Sequence, residues 1–166
     1  MTTLLQLCQL LYDTPASTAL RESDVVFPAI ETAHVLAITL IAGTILTVDL
    51  RVGGLVLRDQ PLSRVTRALL PYTWYGFALM ALSGLPLFAA EAAKLYANPA
   101  FRVKLLLLGL AGLNALLFHS TVYRRLQSDH QHGTAPLTAR VFAAVSGVLW
   151  SGIIVSGRLI AVFHAH

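Results

Sequence analysis

The sequence predicts an all-α protein, a transmembrane four-helix bundle preceded by a short N-terminal interfacial helix, and three observations carry that prediction. Of its 166 residues 56% are hydrophobic and only 12% are charged, against about 25% charged in ordinary soluble domains. The mean hydropathy is +0.69. Four apolar runs each reach the roughly 20 residues that a spanning helix needs, and with short connections they use nearly the whole chain as a single transmembrane domain, 1–166.

The first stretch, Met1 to Asp24, sets Leu4, Leu5, Leu7, Cys8, Leu10 and Leu11 along one apolar face. It is too short to span and is broken at Pro15, so it reads as a helix lying in the interface. A secretory signal would carry an early positive charge, whereas the first basic residue is Arg21, and the segment is kept in the mature chain. The first span starts at Phe27, with Pro28 tolerated in its opening turn, and runs through Val52 to about Leu57. The second covers about 69–95, with Pro86 as the place for a kink or a boundary. The Asn98-Pro99 turn leads into the third, about 101–123. A polar segment with His130, Gly133 and Pro136 precedes the fourth, about 137–163.

Basic residues give the bundle a direction, because Lys and Arg are retained on the cytoplasmic side. One side holds Arg51, Arg58, Arg64, Arg67, Arg124, Arg125 and Arg140; the other holds Arg21, Lys94, Arg102, Lys104 and Arg158. The bias places both termini in the periplasm of a bacterial inner membrane. The net charge of +4 is scattered between apolar runs rather than gathered in a stripe, which argues for the lipid bilayer and against nucleic acid as partner. Cys8 is the single cysteine, so an intrachain disulfide and a cysteine metal cage are excluded.

Ionisable side chains inside spans are costly and mark function by default. Helices that alternate in direction bring His34, Lys104 and Arg158 into the same half of the bilayer, with Glu31 one turn from His34 on the same face. His119 falls in the opposite half with Asp49, on the order of 15 Å away in depth, too far for the two histidines to ligate one haem iron. His34 either ligates a metal or hydrogen-bonds within the bundle; its company of a carboxylate and two cations favours a cofactor, since imidazole binds haem iron and cations neutralise propionates. His119 is a further candidate metal ligand. His130, His132, His164 and His166 read as solvated. Tyr72, Trp74, Tyr75 and Tyr123 read as interfacial anchors, and Trp150 as packing. Ala143, Gly147, Ser151, Gly152 and Ser156 line the fourth helix with small residues, for packing within the bundle or for a homo-oligomer.

The run Glu31, Thr32, Ala33, His34, Val35, Leu36, Ala37, with Gly43 beyond it, then Trp74, Tyr75, Gly76, Ser83 and Gly84, then Phe101, Arg102, Val103 and Lys104, resembles a family of uncharacterised bacterial four-helix membrane proteins. More distantly it is similar to HemJ-type protoporphyrinogen oxidases and to CopD-type copper-resistance membrane domains. The HemJ resemblance implies a haem b role for His34 and a supporting role for Lys104. The stretch Thr44 to Asp49 departs from the aromatic-rich segment of that type, which counts against the oxidase activity itself.

The expectation is therefore a membrane haem b protein that passes electrons, with a quinone as one partner. Two other classes remain open. One is a metal-ion or proton transport subunit using Glu31, His34 and Asp49; the other is a non-catalytic assembly partner.

Overall fold

The computed structural model describes residues 3–123 and 136–164. The expectations placed on Arg124, Arg125, His130, His132, Gly133 and His166 lie outside the described residues, as do the side chains of Tyr123 and His164. Among the described residues there are six α-helices and no strand: α1 Thr3–Tyr12, α2 Pro15–Arg21, α3 Val26–Val52, α4 Leu62–Ala97, α5 Pro99–Leu117 and α6 Leu137–His164. A π-helical segment, Phe118–Tyr123, continues α5. The four long helices are each long and apolar enough to cross a membrane, and large apolar side chains such as Leu82, Leu85, Leu106 and Val148 point outward, as lipid requires.

The N-terminal segment forms two helices because Pro15 both ends the first and opens the second. Thr14 caps α2 by accepting a hydrogen bond from the Ser17 amide, and proline is favoured in the first turn. Both helices dock on α4, where Arg21 stacks on the Tyr12 ring at 3.9 Å and donates to the Ala90 carbonyl at 2.8 Å.

The first span ends at Val52, not near Leu57. Gly54 takes φ +72°, and the amides of Gly54 and Leu55 bond back to the carbonyls of Arg51 and Leu50. This is the paired closure that stops a helix with glycine in the left-handed region. The second helix starts earlier than its apolar run, at Leu62. Its one non-helical residue is Glu91 (φ −122°, ψ 19°) and not Pro86; the carbonyl just before Glu91 is the one taken by Arg21. Asn98 turns the chain into α5: its side-chain oxygen caps the amides of Ala100 and Phe101, and its nitrogen donates to the Ile160 carbonyl of α6.

Packing rests on small residues at the contacts. A Cβ on Gly76 would lie 2.7 Å from Ile41 Cγ1, so glycine there lets α4 close on α3. Gly152 of α6 stands in the same way against Leu107 of α5. Ile41, Ala111, Trp150 and Ile153 form the mid-bundle core, which confirms Trp150 as a packing residue, and Val52, Ala139 and Ala143 form a second core toward the end where α3 finishes. The small-residue stripe of α6 is thus divided: Ala143, Gly152 and Ser156 serve the bundle, while Ser151 is exposed and Gly147 has nothing within 4 Å. Helix α3 packs on α4 and α6, and α5 on α6, whereas α4 meets α5 far more lightly. At that seam Phe88 and Phe101 stack with centroids 5.7 Å apart.

Candidate functional site

Helices α3 and α4 run antiparallel in a constant register, and three contacts record it: Thr44 with Thr73, Ile41 with Gly76, and His34 with Ser83. The third sets the site. His34 Nδ1 lies 3.0 Å from Ser83 Oγ. The serine hydroxyl lies 2.6 Å from the Leu79 carbonyl, one turn back on its own helix. A hydroxyl has one proton, and the Leu79 carbonyl can only accept it. The hydrogen-bond network therefore assigns the ring proton to Nδ1, donating to Ser83, and leaves Nε2 with its lone pair. The Met80 carbonyl, 3.3 Å from the same hydroxyl, is a second acceptor for the ring.

Gly84 makes this approach possible. A Cβ at that position would stand 2.8 Å from His34 Cε1 and 3.3 Å from Nδ1, so the imidazole rests against the bare backbone of α4. Ser83 and Gly84 are the contacts of His34 that spacing within one helix does not reveal. Both stand among the residues that carry the family resemblance, but their link to His34 appears only once α3 and α4 are paired.

Lys104 joins the site from α5. Its ammonium lies within electrostatic range of His34, half-buried, with Gly157 of α6 giving it room: a Cβ on Gly157 would sit 3.6 Å from Nζ. No carboxylate pairs with it among the described residues, where the ion pair present is Lys94 with Glu91 at 2.9 Å. Arg158 follows Gly157 but is exposed, and Glu31 is exposed one turn before His34. The partner that orients the imidazole is thus Ser83 rather than Glu31. Of the four residues expected together, the structure brings His34 and Lys104 into one cluster and leaves the other two at its rim.

The opposite half of the bundle holds different chemistry. Asp49 faces Ser146 of α6, yet its Oδ2 is buried with no hydrogen-bond partner among the described residues, as is Thr66 Oγ1 of α4. His119 is exposed in the π-helical segment. It follows Lys104 by fifteen residues, a rise of about 22 Å at helical geometry, so it takes no part in the His34 cluster. No three His, Cys, Asp or Glu side chains converge on one point among the described residues.

A model of a family of unknown function, DUF6644, matches residues 24–163. The chain belongs to this family. The matched region takes in all four long helices together with His34, Ser83, Gly84 and Lys104, and leaves out α1 and α2. No curated protein and no solved structure matches the chain, and the family match gives no support to a likeness to HemJ-type or CopD-type proteins.

Proposed function

We propose that this protein binds haem b in a bacterial inner membrane, with both termini in the periplasm, and transfers electrons between a quinone-type carrier and a redox partner. The observation that carries the reading is the presentation of His34. Its Nδ1 pairs with Ser83, which by the hydrogen-bond network leaves the lone pair on Nε2, and an ammonium that has no carboxylate partner among the described residues stands nearby.

That donor set fits haem. A metal-ligating histidine characteristically spends its other nitrogen on a fixed acceptor, which sets the tautomer and the ring plane; Ser83 fills that role here. A half-buried ammonium within a bundle calls for an anion, and a propionate meets the need of Lys104. Arg158 and Glu31, exposed at the rim, would act on a bound group only at its edge. The described residues supply one imidazole at this depth, so the reading is of an iron with a single ligand from them. Haem, when bound, supplies one-electron redox chemistry; the protein's part is to hold and orient it.

The test is an optical spectrum of the purified full-length protein, oxidised and then reduced with dithionite. A Soret band that shifts on reduction is expected. Its absence, persisting after reconstitution with haem, would sink the proposal. A second reading has its own observation: a buried oxygen of Asp49 without a partner among the described residues favours a proton or metal-ion transport subunit. Flux into liposomes that changes in both Asp49→Asn and His34→Ala, from a protein without a Soret band, would favour that reading instead, and the absence of any flux would remove it.

A further inference from the structure

The end of the bundle where α3 finishes is strongly basic, and its arginines divide into two groups. Arg51 and Arg140 are spent on structure: Arg51 donates to the Gln60 and Arg58 carbonyls, and Arg140 to the Gly53 carbonyl, so the two tie down the connection between α3 and α4. Arg64 and Arg67 are exposed and line a concavity of about 500 Å³ with Pro61, Ser63 and Ala68. Arg64 spends one nitrogen on the Gln60 side chain at 3.0 Å. No carboxylate pairs with either guanidinium among the described residues.

We propose that this concavity is a binding site for the phosphate headgroup of an anionic phospholipid of the surrounding leaflet. Guanidinium groups bind phosphate oxygens through paired N–H donors, and Arg64 and Arg67 are three residues apart on one helix, where side chains are neighbours. Ser63 adds a hydroxyl. Below the headgroup the same face of α4 becomes apolar and then amphipathic: Ser63, Arg67, Leu70 and Trp74 follow one another at helical spacing, and Leu70 and Trp74 are exposed. Ser63 and Trp74 are about 16 Å apart along the axis. From the membrane surface inward a phospholipid presents phosphate, then glycerol, then acyl chains, so the arginines meet the first and the exposed Leu70 and Trp74 surface meets the last. A free phosphate would use the arginines but not the Leu70 and Trp74 surface. The inference is independent of haem.

Native mass spectrometry of the detergent-solubilised full-length protein, offered phosphatidylglycerol or phosphatidylcholine in equal amounts, tests it. Retention of one phosphatidylglycerol with a preference of about thirtyfold over phosphatidylcholine is expected. The preference should vanish in Arg64→Gln/Arg67→Gln and persist in Arg58→Gln, an exposed arginine outside the concavity, with helix content by circular dichroism equal in all three. Equal retention of both lipids by the wild-type chain overturns the proposal, and so does a preference that survives the double substitution. Displacement of the lipid by an equal concentration of inorganic phosphate overturns the lipid as occupant. Should the double variant lose helix content, Arg67→Gln alone replaces it under the same criteria.

Discussion

The two halves of the bundle place a polar side chain of the same helix in apolar surroundings and treat it in opposite ways. His34, on the side where α3 begins, has its Nδ1 met by Ser83, its ring seated on Gly84 and a cation nearby. Asp49, fifteen residues on, faces Ser146 but has one buried carboxylate oxygen with no partner among the described residues. A buried polar group left without a partner costs about 1–3 kcal/mol. Among the described residues one half meets its polar group, at Nδ1, and the other leaves one oxygen without a partner. On the haem reading proposed above, the difference separates a site that presents a ligand from a position where, among the described residues, the carboxylate is only partly paired.

If the haem reading holds, the largest expected effect comes from removing His34, its proposed ligand. His34→Ala should lower haem content by more than about a hundredfold, beyond what loss of an outer partner produces, while Asp49→Asn leaves it unchanged. Pyridine haemochrome assay of the two variants, with helix content checked by circular dichroism, makes the comparison. Equal haem in both would erase the distinction between the two halves.

Next in size are two glycines that differ in what they protect. Alanine at Gly84 would drive a methyl to 2.8 Å from the imidazole, and alanine at Gly76 one to 2.7 Å from Ile41 Cγ1. Overpacking of this kind costs about 1–3 kcal/mol, and both variants should unfold earlier in a thermal or detergent denaturation series. Only Gly84→Ala should also disturb the spectrum, because only there does the displaced neighbour carry the lone pair. Asp49→Asn tests the other half from the side of stability: removing a charge whose oxygen lacks a partner should stabilise the fold by about 1–2 kcal/mol. A loss of stability of that size would show that the carboxylate is paired after all.

Much of this arrangement is legible in the sequence, and the parts that are not share a cause. Length and apolarity reveal the four spans, and counting residues from their ends places His34 and Lys104 at one depth and His119 at another. Those are properties of single helices. Ser83 as the partner of His34 is a property of the α3 and α4 register, which no spacing within either helix encodes. The same holds for the bend at Glu91, where an arginine sixty-nine residues before Ala90 takes its carbonyl, and for Arg158, whose depth agrees with Lys104 although its direction does not. The stop at Val52 was open to reading: Gly53 and Gly54 stand directly after it, and an apolar continuation through Leu55, Val56 and Leu57 masks them.

The smallest effect is the one that isolates the tautomer. Ser83→Ala removes the acceptor for Nδ1–H without touching the ring, and should cost about 1 kcal/mol in stability and about tenfold in haem affinity. Ser83→Thr should restore both. Threonine keeps the Oγ and bonds to the carbonyl one turn back in this very bundle, as Thr39 does to Val35 at 2.9 Å and Thr47 to Gly43 at 2.7 Å, so it can return its proton to Leu79 and its lone pair to His34. A threonine variant that behaves like alanine would mean that the hydroxyl acts only on its own helix. In that case the Met80 carbonyl alone would hold the ring, and Ser83 would lose its place in the site.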